Sequence, residues 1–220
     1  MKFLIIAFVL IGVEFAQAIP VAINRRDVKF PSQQMVEKQS FDNLLASSST
    51  RLLSGHAGAT SAAQVVVSSF SNQPDLPRNI EITPGGTTGD IEACSIVVAG
   101  TDISGASISE VFAFSANQTG KIVGADAFKT VTSVTFPASC ESGGFAATWS
   151  VGIGEKIGIK RCMDNAGDIL FSLKDGAKEG TAPSIASSVN RLSSNTADFN
   201  GAMDGIADFV LYFFQNFRCF

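Results

Sequence analysis

Histidine is almost missing from this chain of 220 residues, in which His56 is the single imidazole. A serine or cysteine hydrolase needs a base held rigidly beside its nucleophile. Gly55-His56-Ala57-Gly58 instead reads as a Gly-rich linker, which argues against that chemistry and leaves too few imidazoles for a His-rich metal centre. Closely spaced cysteines are missing as well. The nearest two of Cys94, Cys140, Cys162 and Cys219 are 22 positions apart, so a zinc cluster built on C-x-x-C pairs is not expected. Phosphate-binding loops fail on their details. Gly85-Gly86-Thr87-Thr88-Gly89 has no Gly-Lys-Ser/Thr after it, and residues 152–158 do not match the dinucleotide fingerprint. No cofactor is therefore expected.

Positive charge is scarce where it would matter for nucleic acid. Residues 1–60 carry 6 basic and 4 acidic side chains, and residues 61–220 carry 10 and 16, so no basic stripe faces a phosphate backbone and no nucleic-acid partner is expected. Long apolar runs are lacking too. Glu14 interrupts the first one, and residues 206–214 are too few to span a bilayer, which needs about 20. Stable membrane insertion is not expected. Strands alternating with long helices, the mark of a parallel α/β sheet, do not occur.

The N-terminus has what an exported chain has. Lys2, the apolar residues 3–13 and Ala16-Gln17-Ala18 follow signal-peptide order, predicting residues 1–18 as a signal peptide with cleavage after Ala18 and a secreted, extracellular product. In an oxidising compartment the four cysteines are disulfide candidates, with three connectivities open. Asn117-Gln118-Thr119 is a glycosylation sequon, and Arg25-Arg26 is either a processing site or a solvated turn. Residues 19–61 read as a polar extension. Met35, Phe41, Leu44, Leu45 and Leu52 have roughly helical spacing with Ser32 as a cap, while the Ser47-Ser48-Ser49-Thr50 run suits a flexible segment, and residues 54–61 read as a linker.

From residue 62 the pattern changes to one β domain running to 220. Residues 65–67, 80–83, 96–99, 108–114, 131–136, 145–151, 157–160, 169–173 and 209–213 are short runs rich in β-branched or aromatic residues. Alternation is clearest in 107–114 and 130–136, where each strand would bury one face and wet the other. Pro84-Gly85-Gly86, Asp164-Asn165-Ala166-Gly167-Asp168 and Lys174-Asp175-Gly176 are turn signals, and Gly154-Glu155-Lys156 reads as the turn of a hairpin. The expected fold is all-β, an antiparallel β-sandwich or partly closed barrel, behind the signal peptide and a flexible or partly helical extension.

Carboxylates alone could serve a glycosidase, and Glu81, Glu92, Glu110 and Glu155 are the candidates, although each is also explained as a solvent-facing strand residue. Asp164–Asp168 and Asp198-Phe199-Asn200-Gly201 are rich in oxygen but lack the spacing and distal glutamate of a calcium loop. Trp149 reads as core. The aromatic tail, Phe209 to Phe220, is read as a closing core strand with a short extension that Cys219 staples down, a sticky self-association patch being the rival.

Pro74-Asp75-Leu76-Pro77-Arg78-Asn79, Gly100-Thr101-Asp102-Ile103-Ser104-Gly105, Ile108-Ser109-Glu110 and Ala127-Phe128-Lys129-Thr130-Val131 follow one another in an order that resembles small β-rich structural proteins of tailed phages. Gly180-Thr181-Ala182-Pro183 and Ser194-Asn195-Thr196-Ala197-Asp198 continue it, so that it spans residues 63–212. The resemblance implies an accessory virion or capsid-surface role and offers no catalytic residue. Behind a signal peptide, the expected function is a non-enzymatic secreted structural or interaction protein that contacts copies of itself, as a homo-oligomer, or another protein or glycan surface. A lectin-like binding effector is the alternative, a carboxylate-dependent glycosidase the third, and virion the alternative location.

Overall fold

The computed structural model describes residues 35–58, 63–142 and 146–214. The expected signal peptide with cleavage after Ala18, the Arg25-Arg26 pair and Cys219 lie outside the described residues. The fold is all-β, and every strand pairing in it is antiparallel. Fourteen strands are described: β1 Val36–Phe41, β2 Ser48–Ala57, β3 Val65–Val67, β4 Arg78–Gly86, β5 Cys94–Thr101, β6 Ser107–Phe114, β7 Ile122–Phe128, β8 Thr130–Phe136, β9 Ala147–Gly158, β10 Ile169–Lys174, β11 Ala177–Lys178, β12 Ser184–Ala186, β13 Thr196–Asp198 and β14 Phe209–Phe214. They form three sheets, ordered β1-β14-β10-β11, β12-β13-β9-β4-β7 with β2 beside β9, and β3-β8-β5-β6. No described helix is long and apolar enough to cross a membrane.

Alternation makes the third sheet. Along β5, Cys94, Ile96 and Val98 point inward, and along β6 Phe112 and Phe114 do. They meet Ile80, Ile82, Phe128, Val134, Phe136, Trp149 and Val151 in a first core. Each such side chain, taken wholly out of water, contributes about 1.5–3 kcal/mol. A second core gathers Phe41, Leu44, Ile157, Ile159, Met163, Phe199, Met203, Phe209, Leu211 and Phe213. Strand β9 runs through both.

That strand corrects the hairpin expected at residues 154–156. β9 continues without a turn for 12 residues, and its glycines provide room instead of bends. A Cβ on Gly152 would stand 2.6 Å from Ser49 Cα, and one on Gly154 would stand 2.5 Å from Asn79 Nδ2. Neither glycine has positive φ, so the absent side chain is what the packing uses.

The helix expected before residue 53 is corrected too. β1 pairs with β14 from Val36↔Phe214 to Phe41↔Phe209, and β2 pairs with β9, His56 lying opposite Trp149. Polar Gln, Ser and Lys suggested solvent on most sides, but a strand edge tolerates them on its wet face, and pairing partners far along the chain override local propensity. His56 is accordingly on a strand, stacked on Phe136 at 5.6 Å, and not on a linker. β7, which the sequence did not announce, completes the second sheet.

Sheet edges are covered by side chains. β6 and β7 face each other, and Ala125 N donates to Glu110 Oε1 at 2.6 Å across the gap. β1 is tied to the end of β9 and the segment after it, where Gln39 Nε2 donates to Gly158 O at 3.1 Å and Lys160 and Arg161 pair with Glu37 at 2.9 and 3.0 Å. Such latches keep open edges from pairing with other chains.

Arg78 joins the two cores. It is fully buried and donates from Nε to Gly154 O at 2.9 Å and from Nη1 to Leu45 O at 3.0 Å and Asp75 Oδ2 at 3.4 Å. Burial pulls its pKa down, and the Asp75 carboxylate opposes that. Cys94 and Cys140 form a disulfide across 46 positions, and Cys162 is disulfide-bonded as well.

Candidate functional site

Asp175 and Gly176 turn β10 into β11 with φ of 50° and 80°, the left-handed pair of a two-residue hairpin loop, which an Asp-Gly dipeptide adopts at low cost. Lys174 and Ala177 face each other across it. The chain then passes Glu179, whose Oε2 accepts from Ser172 Oγ at 2.5 Å, and continues through Thr181 to β12. Opposite this wall runs the end of β13 with Phe199, Asn200 and Gly201. Lys174 Nζ spans the two, donating to Ala202 O at 3.2 Å and lying 5.6 Å from the Phe209 ring centroid.

Between the walls lie two shallow, open clefts, of about 540 Å³ beside Lys174, Lys178, Glu179 and Gly201 and about 420 Å³ beside Glu155, Ser184, Asp198 and Phe199. Both are lined by Thr181 and Asn200, which makes them one groove with an end of mixed charge, where Lys174 and Lys178 stand with Asp175 and Glu179, a middle of hydroxyl and amide, and an anionic end. Thr181, Ser184 and Asn200 are exposed and Asp198 is half-buried. Burial pushes the Asp198 carboxyl above its usual range, the Glu155 charge adds to that, and Lys156 opposes it. Glu155 Oε1 accepts from Ser47 Oγ at 3.2 Å. Phe199 is buried, edge-on to Phe41 at 5.7 Å, and supplies a floor.

Of the four carboxylate candidates, the groove contains Glu155 alone, and Asp198 joins it from the stretch that looked like a calcium loop. Glu81 is not solvent-facing: it is 3% exposed and holds Lys121 at 2.7 Å, because β4 lies between β7 and β9. Glu110 is half-buried at the β6–β7 gap, its carboxyl pushed up by burial against the donation from Ala125, and Glu92 is exposed elsewhere. These three do not approach the groove. Among the described residues no cluster of three or more His, Cys, Asp or Glu could hold a metal ion. Asp164–Asp168 is a capped 3-10 turn in which Asp168 Oδ2 accepts from the Asp164 and Asn165 backbone at 3.0 and 3.2 Å.

Trp149 is fully buried, edge-on to Phe114 at 4.9 Å. Asn117 sits exposed in the turn between β6 and β7 with φ of 59°, leaving its amide open to solvent. Thr181 and Ser184 carried no signal in the sequence, since an exposed hydroxyl looks the same in any loop.

No protein-family model matches the chain, and neither a curated protein nor a solved structure matches it.

Proposed function

We propose that the chain is a non-enzymatic, exported interaction protein whose contact site is the groove between the β10–β11 hairpin and the end of β13, and whose ligand is a glycan. The observation that carries this reading is the run of hydroxyl, amide and carboxylate side chains, Thr181, Ser184, Asn200 and Asp198, along one open groove. Neighbouring sugar hydroxyls each donate and accept, and such a mixed row meets them with few unpaired groups. The Cys94–Cys140 disulfide supports an oxidising location. The resemblance of residues 63–212 to phage structural proteins supports a contact module as its origin.

Glycan-array binding by the mature protein tests the reading. Asn200→Ala and Thr181→Val are each expected to weaken binding about tenfold, equivalent to about 1.4 kcal/mol. Turnover of a bound glycan, abolished in Glu155→Gln or Asp198→Asn, would replace it with a glycosidase.

A second reading, self-assembly, is favoured by the outer face of the first sheet. Val210, Tyr212 and Phe214 are half-exposed there, Tyr212 stacks on Phe171 at 4.6 Å, and Val36, opposite Phe214, is 55% exposed. Light scattering of the mature protein separates the two: a multimer dispersed by Tyr212→Lys supports assembly, and a strict monomer that binds glycan supports the groove.

A further inference from the structure

One end of the first core holds polar atoms that the protein itself leaves without partners. His56 Nδ1, both carboxylate oxygens of Glu141 and Trp149 Nε1 are buried and make no hydrogen bond. Glu141 is 8% exposed and Trp149 is not exposed at all. A buried donor or acceptor in that condition is unfavourable, so three such side chains together call for an explanation.

The backbone brings them to one place. β2 sets His56 opposite Trp149. Glu141 follows Cys140 of the disulfide and is held by a bridge to Ile91. Gly58 lies between, where a Cβ would stand 2.1 Å from Glu141 Oε1, 2.9 Å from Trp149 Nε1 and 3.0 Å from Glu141 Cδ. Gly58 does not have positive φ, so the chain uses glycine here for room. Its N–H lies near enough to lower the Glu141 pKa, against the larger upward push of burial, yet outside hydrogen-bond geometry.

The donors and acceptors discriminate among ligands. A cation would meet the N–H groups of Trp149 and Gly58, which point positive charge at it. An anion would meet Glu141, with Asp90 as the nearest further charge, itself bonded to Ser142 Oγ at 2.7 Å and Ala146 N at 3.3 Å. A neutral group that accepts from the indole and donates to the carboxylate fits both. We propose that His56, Gly58, Glu141 and Trp149 form a binding site for a single neutral hydroxyl group, accepting from Trp149 Nε1 and donating to Glu141, with His56 Nδ1 as its third partner. Three partners is the usual complement of a buried water. The hydroxyl belongs either to a resident water or to a small alcohol. The site is independent of the groove.

The chain's single tryptophan is part of the site, so its fluorescence reports this end of the first core. With the full, disulfide-intact chain, oxygen-17 relaxation dispersion is expected to reveal a long-lived internal water that is lost in Gly58→Ala and Glu141→Leu and kept in Glu141→Gln, whose amide retains a donor and an acceptor. If the hydroxyl comes from a solute, that water is missing from the wild type, and methanol shifts Trp149 emission saturably in the wild type and Glu141→Gln but not in Glu141→Leu. Equal dispersion in all variants with no saturable methanol response overturns the proposal. Should Gly58→Ala fail to fold, the Glu141→Leu and Glu141→Gln pair, each checked by circular dichroism, decides.

Discussion

The two cores are built from different reaches of the chain. The first is assembled largely from β4 to β9 by strands that follow one another closely, β5 pairing with β6 and β8, and it carries the Cys94–Cys140 bridge. The second needs both ends of the described chain, since Phe41 in β1 packs with Phe199, Phe209 and Phe213 and β1 pairs with β14. Closing so long a loop costs more conformational entropy before any contact repays it. The difference teaches that the first core can form from near neighbours, whereas the second depends on a scaffold already in place. Arg78 and β9 are the links through which that scaffold acts.

The largest expected effect comes from cutting the link. Arg78→Met leaves Gly154 O and Leu45 O without their donor and Asp75 without its cation, and should destabilise the protein by about 3–5 kcal/mol; urea denaturation measures it. A loss below 1 kcal/mol would mean that the cores do not communicate through this residue. Next in size is the disulfide. Cys94→Ser with Cys140→Ser should cost about 2–5 kcal/mol, and hydrogen exchange locates the loss. In the intact protein the β1 and β14 amides should exchange faster than those of β5 and β8, and the double substitution should narrow that gap. An unchanged gap would break the comparison.

The smallest effect is on pH dependence. Glu110 and Glu141, at the first core, and Asp198, at the groove, have carboxyls raised chiefly by burial. Their contribution is therefore complete below the unfolded values, about 4, and is lost as pH rises through the folded ones. Glu37, beside the second core, is opposite. Burial raises its carboxyl, but Lys160 and Arg161 together bring it below the usual value, so its contribution is present above the unfolded value and lost as pH falls through the folded one. Asp204 follows Glu37, lowered by the Ala207 and Ile206 amides. The melting temperature should thus rise from pH 7 towards mildly acidic pH and fall again below about 4. Glu110→Gln should flatten the first limb, and Glu37→Gln the second.

Much of the first core was legible in the sequence. β6 and β8 alternate, and alternation implies both strand and inward face without reference to a partner, while the β-branched run at 96–99 marked β5 as a strand. β7 was missed because Gly124, Ala125 and Asp126 interrupt its pattern, and Asp126 is buried by Arg191, Ser193 and Ser194, none of them near in sequence. Of the groove, the Asp175-Gly176 turn and the oxygen-rich Asp198–Asn200 stretch were visible, but nothing local said that they face each other.

Sequence alone determined the class of the fold, because period-two burial and turn chemistry are local properties that read the same in any tertiary setting. Tertiary structure decided that β9 is one strand, that β1 and β2 are strands at all, that Arg78 and Glu81 are buried, and that Thr181 and Asn200 share a groove with Asp198. Each of these depends on which distant segment stands alongside, and pairing partners, close backbone approach and burial of charge are set by the whole packed chain.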